Sequence, residues 1–250
     1  MTSKMKIKVF NTSGEMAAAA ADRGAELLTA AIRERGGARL MLSTGASQLE
    51  TIKELIARPV EWSRVEMFHL DEYVGLPESH GASFRRYLKE RFTSEVDLAA
   101  AHFVNWEGDM EANIKALSEE ISKAPVDVGF IGIGENAHIA FNDPPADFGT
   151  EAPFIIVTLD DACRKQQTGE GWFASPDEVP PRAITASVRQ IMKCRAILSC
   201  VPFKVKAEAV RSTLAGNMDP HVPATILKTH PDWTLYLDRD SASLAGEYLP

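Results

Sequence analysis

Two acidic residues stand side by side where an apolar stretch of the chain ends. Asp71 and Glu72 follow the segment 65–70, VEMFHL, and precede a turn that contains Gly75 and Pro77. The residues alone leave two interpretations open. The carboxylates are the first hydrated groups after a buried strand, or one of them is a general base that takes a proton from a substrate.

A second polar group lies in the segment 132–148, GIGENAHIAFNDPPADF, directly after the almost continuously apolar stretch 126–134. Here Asn136, His138 and Asp143 are close in sequence. A histidine near amides and a carboxylate that orient its ring can transfer protons near neutral pH, although a structural hydrogen-bonding role is equally open. The partial Gly-x-Gly lacks a third glycine, which makes a dinucleotide-binding loop a poor fit.

The segment 43–47, STGAS, has the composition of an anion-binding loop between a strand and a helix. Small residues let backbone amides approach an anion, the hydroxyls of Ser43, Thr44 and Ser47 can donate, and the following helix presents its positive end. No Gly-Lys-Ser/Thr follows, so the segment is not a Walker loop. A simple capping turn is the alternative interpretation.

Two lysines begin a later helix, at positions where cations oppose the helix dipole. Lys204 is nearer the end of the preceding strand, and we expect it to share an anion with the STGAS segment. Lys206 is expected to be solvated.

The hydrophobic pattern predicts strands that alternate with helices, and these elements would position the candidate residues. Strands are expected over 6–10, 38–43, 65–70, 126–134, 154–159, 195–201 and 233–237. Helices are expected over 11–37, 48–58, 83–92, 109–124 and 203–216. The alternation predicts an α/β protein with one mainly parallel central sheet, covered by helices on both faces. Ligands of such sheets bind beyond the carboxyl ends of the strands, where the candidate loops lie.

Composition excludes several classes of partner. The net charge is −8 and no block of Lys and Arg occurs, so we expect no nucleic-acid partner. No apolar run reaches membrane-spanning length and no signal-peptide core is present, so no membrane association is expected. Cys163, Cys194 and Cys200 are odd in number and lack zinc-ligand spacing, which favours a reducing cytoplasm and no metal site. The sequence is compatible with a homo-oligomer.

Four motifs resemble one known family in order and spacing. LSTGAS at 42–47, FHLDEYVGLP at 68–77, GIGENAHIAFNDP at 132–144 and FK at 203–204 resemble the glucosamine-6-phosphate deaminase/isomerase family, which is related in fold to 6-phosphogluconolactonases. The resemblance extends roughly from residue 5 to 240. It implies a single domain over residues 1–250 with a modified Rossmann-like, three-layer α/β sandwich.

The resemblance also implies an activity and the residues that perform it. The substrate would be a small sugar phosphate, a hexosamine 6-phosphate converted to a ketose phosphate and ammonia without a cofactor. Asp71 would move a proton between C2 and C1, with Glu72 in the same catalytic neighbourhood. His138 would open the sugar ring, and Asp143 would orient the side chain of His138. The implied phosphate-binding positions are Thr44, Gly45, Ala46, Ser47 and Lys204.

The chain departs from the family pattern at three places, which identifies it as a divergent member. Asn136 replaces an Asp, Asp143 replaces a Glu, and the segment 168–173, TGEGWF, replaces a motif whose arginine binds phosphate. Two alternative functions stay open on this ground. One is a sugar-phosphate lactonase in which His138 activates water, and the other is a non-catalytic sugar-phosphate sensor.

Overall fold

The structure, a computed structural model, describes residues 5–169 and 171–249. Its strands are Lys6–Phe10 (β1), Ala38–Leu42 (β2), Val65–His69 (β3), Asp71–Tyr73 (β4), Ala100–His102 (β5), Val128–Phe130 (β6), Phe154–Thr158 (β7), Arg182–Ala186 (β8), Ala196–Val201 (β9) and Trp233–Asp238 (β10). Its α-helices are Ser13–Arg35 (α1), Leu49–Ile56 (α2), Phe84–Leu88 (α3), Met110–Ser122 (α4), Asp161–Gly169 (α5), Val188–Met192 (α6) and Ala207–Ala215 (α7).

Seven strands form a parallel sheet in the order β1-β10-β9-β6-β2-β3-β5. Every residue of β2, β9 and β10 is buried, as is typical of strands that helices cover on both sides. The expected α/β class and mainly parallel central sheet are therefore confirmed.

Helices form a layer on each face of this sheet. Leu28 of α1, Leu55 of α2 and Leu88 of α3 belong to one buried apolar cluster. Ile121 of α4 and Val210 of α7 belong to the cluster on the other face. The cost of ordering these helices is offset by burial of their apolar faces, so the two clusters fix the frame from which the loops project.

A second, antiparallel sheet of three strands, β4-β8-β7, adjoins the first and was not predicted. The segment 154–159 was expected in the main sheet, but β7 lies in this one. The interpretation of Asp71 as the end of a strand also needs correction. Only Leu70 separates β3 from β4, so Asp71 begins a new strand in which Asp71 pairs with Thr185.

Two further observations concern membrane-spanning helices and the cysteines. None of the helices within the described residues is long and apolar enough to cross a membrane. Cys163, Cys194 and Cys200 are buried free thiols.

Candidate active site

A cavity at the carboxyl ends of the parallel strands gathers most of the residues singled out from the sequence. Its walls come from the loops after β2, β3 and β6, from α3 and α5, and from the turn before α7. The lining residues are Ser43, Thr44, Gly45, Ser47, Leu70, Asp71, Phe84, Gly132, Ile133, Gly134, His138, Ala140, Phe141, Gln166, Gln167 and Lys206. Of the predicted site residues, Ala46, Glu72, Asn136, Asp143 and Lys204 do not line it.

The loop after β2 is held by its neighbours in a conformation that suits anion binding. The Ser43 hydroxyl accepts from the backbone N–H of Gly132 at 3.2 Å. The Tyr87 hydroxyl donates to the carbonyl of Gly45 at 3.0 Å. Gly45 has φ 97° and ψ 170°, a region that glycine alone adopts readily. The turn that follows leads into α2, so the positive end of a helix faces the same side of the sheet as the loop.

The two lysines of the segment after β9 are placed opposite to expectation. Lys204 is exposed, whereas Lys206 is 4% exposed and lines the cavity. Phe203 turns the chain with φ 79°, its N–H donates to Oδ2 of Asp238 at 3.0 Å, and its carbonyl accepts from the N–H of Lys206 at 3.0 Å. No sequence pattern indicated this anchored turn, which directs Lys206 rather than Lys204 toward the cavity.

Asp71 is a buried carboxyl group whose pKa is raised to about 8. Burial is the main cause because it disfavours the charged form, and repulsion from Glu72 adds to it. The backbone N–H of Phe141 offsets part of the effect. A carboxylate with this proton affinity can accept and return a proton near neutral pH.

Glu72 does not line the cavity and is fully buried. Its carboxylate accepts hydrogen bonds from the Ser83 hydroxyl (2.8 Å) and from the N–H groups of Tyr73 (2.9 Å), Phe84 (3.2 Å) and Arg85 (2.8 Å). Burial raises the pKa of Glu72, and these donors act against that rise. The side chain thus joins β4 to the start of α3 and places a charge beside Asp71.

His138 lies against the backbone of Gly134 and beside Asp143. A Cβ at Gly134 would overlap the imidazole ring, so the ring occupies space that only glycine leaves open. Nδ1 of His138 is 3.1 Å from Oδ1 of Asp143. Asn136 contacts the same carboxylate oxygen through its side-chain amide at 3.4 Å, and its own oxygen accepts from the N–H of His138 at 3.1 Å.

The pKa of Asp143 lies below its ordinary value. Burial raises it, but the contacts with His138 and Asn136 and the N–H of Asp160 outweigh that effect. Asp143 is thereby kept ionised beside the imidazole.

The second sheet brings Asp71 and His138 to one cavity. Thr185 of β8 pairs with Asp71, and its hydroxyl accepts from the N–H of Phe141 at 3.1 Å. The side chain of Asn142 donates to the carbonyls of Ile139 (2.9 Å) and Ala186 (3.0 Å). One strand therefore anchors both the carboxylate and the loop that carries the histidine.

Comparison with known proteins fits this arrangement. Residues 11–236 match the family described as glucosamine-6-phosphate isomerases/6-phosphogluconolactonase. The chain belongs to this family. It is 35% identical over 230 residues to a glucosamine-6-phosphate deaminase of Thermoanaerobacter pseudethanolicus, a match that covers 89% of each chain.

Solved structures of the family repeat the fold. A monomeric glucosamine-6-phosphate deaminase superimposes with a TM-score of 0.87 at 32% identity and covers 96% of this chain and 100% of its own. A 6-phosphogluconolactonase from Shewanella baltica superimposes with a TM-score of 0.77 at 20% identity, with 95% and 98% of the chains covered. The second likeness is one of fold alone.

The structure adds two cavity residues that the sequence reasoning missed. Gln166 and Gln167 of α5 line the cavity and are buried. Oε1 of Gln166 accepts from the N–H of Glu135 at 2.9 Å, and Oε1 of Gln167 accepts from the Tyr73 hydroxyl at 2.7 Å. Their spacing of three and four residues from the buried Cys163 puts all three on one helical face, a signal that the sequence did contain.

The cations near the family's arginine motif do not reach the cavity. Arg164 donates to the carbonyl of Pro176 at 2.6 Å, and Lys165 is exposed. Among the residues that line the cavity, Lys206 is the cation.

Folding also assembles sets of metal-binding atoms that no sequence spacing indicated. Within the described residues, the donor atoms of His138, Asp143 and Cys163 lie within 4.8 Å of one another, as do those of Glu66, His102 and Glu120. Each set joins residues from different elements, so no spacing along the sequence indicates it.

Proposed function

We propose that this protein is a glucosamine-6-phosphate deaminase, which converts glucosamine 6-phosphate and water to fructose 6-phosphate and ammonia. The observation that carries the proposal is Asp71, a buried carboxyl group that faces the cavity and has its pKa raised to about 8. Deaminases of this name at 32–35% identity support it.

The phosphate would bind at the end of the cavity formed by the loop after β2. Thr44, Gly45 and Ser47 of that loop line the cavity, as does Lys206. Hydroxyl and amide donors with one ammonium group suit a phosphate dianion. We assign the lysine role to Lys206 rather than Lys204, because only Lys206 lines the cavity.

His138 would open the sugar ring by moving a proton from the hydroxyl on C1 to the ring oxygen. An imidazole has one nitrogen that donates a proton and one that accepts, which this transfer requires. Asp143, 3.1 Å from Nδ1, would orient the imidazole of His138. Asn136 would hold Asp143 through its amide without adding a second charge.

Asp71 would then take the proton from C2 of the open-chain aldehyde, while the aldehyde oxygen gains a proton and an enolamine forms. Return of the proton from Asp71 to C1 gives an imine at C2. Addition of water to the imine and loss of ammonia leave the ketose phosphate. Positioned acid–base catalysis of this kind typically contributes ~10²–10⁴-fold.

Glu72 would act on the reaction through Asp71. Its buried charge raises the proton affinity of Asp71, and its four hydrogen bonds keep it in place.

The free, buried thiols support a cytoplasmic location for the enzyme.

The test is incubation with glucosamine 6-phosphate, galactosamine 6-phosphate and 6-phosphogluconolactone, with ammonia release and lactone loss followed separately. We expect ammonia from a hexosamine phosphate and no lactone hydrolysis above background. Lactone loss without ammonia would replace the proposal with a lactonase. Calorimetric binding of the sugar phosphates without turnover would identify a sensor.

A further inference from the structure

Behind the catalytic histidine, three different donor atoms meet in the protein interior. They are Nδ1 of His138, a carboxylate oxygen of Asp143 and Sγ of Cys163, all within 4.8 Å of one another. His138 is 8% exposed and Cys163 is fully buried. Nδ1 is buried and has no well-oriented hydrogen-bond partner among the described residues, although Asp143 lies 3.1 Å away.

We propose that His138, Asp143 and Cys163 form a binding site for a thiophilic divalent cation such as Zn²⁺, and that its occupancy inhibits the enzyme. The site itself rests on geometry and charge. Only its effect on turnover rests on the proposed function.

The spacing suits a tetrahedral ion. Zinc binds sulfur at about 2.3 Å and nitrogen or oxygen at about 2.0–2.2 Å, so tetrahedral ligands lie roughly 3.4–3.6 Å apart. Nδ1 of His138 and Oδ1 of Asp143 are already 3.1 Å apart, and Sγ of Cys163 lies within 4.8 Å of the other two donors, so the ion would draw the sulfur closer. Sulfur, imidazole and carboxylate together form a donor set that selects zinc-like ions over magnesium or calcium. A water molecule would complete the fourth position.

The surrounding charge favours a cation. Burial and, after it, the negative charges of Asp143 and Asp160 raise the pKa of the Cys163 thiol. The two carboxylates, which disfavour a thiolate alone, attract a dication. On binding, the S–H bond breaks, a zinc–sulfur bond forms, and the proton leaves to solvent.

The other donor cluster is less suited. Glu66 accepts from Nε of Arg39 at 3.2 Å, and Glu120 accepts from the ammonium group of Lys123 at 2.6 Å. Both carboxylates are already paired with cations, and the set contains no sulfur.

A bound ion would remove Nδ1 of His138 from its contact with Asp143 and prevent protonation of the ring at that atom. Asp143 and Cys163 do not line the cavity, so a sugar phosphate would not compete directly for the ion. Inhibition should therefore lower kcat more than it raises KM.

Binding is tested without any assay of activity, by titrating the whole protein with Co²⁺ and recording the near-ultraviolet thiolate-to-cobalt charge-transfer band. Zn²⁺ affinity is then measured by displacement. Cys163→Ser should lose the band and bind Zn²⁺ at least about 10-fold more weakly, since loss of even an outer-shell partner costs about 10–100-fold. Cys200→Ser is the matched control, a buried cysteine outside the cluster, and should keep both.

A charge-transfer band that persists in Cys163→Ser, or that disappears in Cys200→Ser, would overturn the site. Cys163→Ala provides a second variant if the serine is poorly folded, as judged by circular dichroism. Inhibition is measured on each variant relative to its own metal-free rate. Wild-type inhibition that a chelator reverses and Cys163→Ser resists supports the proposal. Equal inhibition of both proteins contradicts it, and a cobalt band in a protein without deaminase activity would overturn the proposed function alone.

Discussion

Two adjacent carboxyl groups have different surroundings in this site. Glu72 accepts four hydrogen bonds and lies outside the cavity, whereas Asp71 faces the cavity. Neighbouring acids separated in this way are typical of sites where one group reacts and the other sets the local field.

The pH–rate profile should report the raised pKa of Asp71. The base must be ionised, so kcat/KM should rise with pH through an acidic limb near pH 8. In the complex, the substrate's ammonium group favours the ionised carboxylate, so the corresponding limb of kcat should lie at lower pH. Steady-state kinetics over a pH series measure both limbs.

Asp71→Asn is the companion variant for this profile. The amide cannot accept the C2 proton, so kcat should fall by ~10²-fold or more, while calorimetry shows sugar-phosphate binding nearly unchanged. A variant that keeps more than about a tenth of the wild-type rate would remove Asp71 from the role of base.

At the scale of elements, the loop after β6 depends on a close approach between Gly134 and the ring of His138. A methyl group at residue 134 would overlap the imidazole and force it to move. Gly134→Ala should therefore lower kcat by about 10²-fold, since small misplacements of catalytic groups have effects of this size. Gly149→Ala is a loop control, since residue 149 is exposed and lies away from the cavity. Equal kcat values in both variants would show that His138 tolerates displacement.

The turn before α7 offers a matched pair of lysines. Lys206→Ala should weaken binding of hexosamine 6-phosphate by roughly 10–100-fold, because a charge-assisted hydrogen bond is worth about 1.5–3 kcal/mol. Affinity for the unphosphorylated sugar should not change. Lys204→Ala removes an exposed lysine two residues away and should leave both affinities intact. Calorimetry in which Lys204→Ala causes the phosphate-specific loss would restore the original assignment.

Most strands of the main sheet could be predicted from sequence because they fall in apolar runs between recognisable helices, whereas the three-residue edge strand β5 was not predicted. Strand β4 could not be predicted in this way, because Asp71–Tyr73 is only three residues long and carries two acids, a pattern typical of a polar loop after β3. Its partner β8 is more than a hundred residues away, so no local pattern indicates their pairing. The segment 154–159 was assigned to the main sheet because its apolar run resembles a buried parallel strand, and only its antiparallel pairing with β8 places it in the second sheet.

Chemistry and spacing in the sequence singled out Asp71, His138 and the loop after β2, and the structure gathers these around one cavity. Lys204 and Lys206 are two residues apart, and only the turn at Phe203 decides which one reaches the cavity. Gln166 and Gln167 are polar, so their spacing of three and four residues from Cys163 was the signal in the sequence that they share a buried helix face.

In the whole molecule, Asp71 stands where the parallel sheet passes into the antiparallel one. Leu70, the single residue between β3 and β4, accepts a hydrogen bond from the N–H of Ala186 at 2.9 Å. Both sheets therefore surround Asp71, and this burial is the main cause of its raised pKa. The same burial should oppose folding whenever the group is ionised.

Stability should consequently depend on pH through Asp71. Its pKa rises from 3.8 to about 8 on folding, so between these values the folded state binds more protons than the unfolded state. The free energy of unfolding should then fall as pH rises from about 4 to about 8. Burial lowers the pKa of His69 to about 3, so below about pH 6.5 the unfolded state binds more protons at this residue. In that range His69 makes the free energy of unfolding rise with pH, opposite to Asp71. The contribution of Asp71 must therefore be measured as a difference between two proteins that both retain His69.

Asp71→Asn supplies that difference. The amide stays neutral in both states, so the variant should equal the wild type in stability near pH 4 and exceed it progressively toward pH 8. One pKa unit corresponds to about 1.4 kcal/mol, so a gain of at least about 1–2 kcal/mol is expected at pH 8. Urea unfolding at a series of pH values measures it, with Lys204→Ala as a surface control. A stability difference that stays constant from pH 4 to pH 8 would show that Asp71 titrates alike in the folded and unfolded chains, and burial would then not be what prepares it to act as a base.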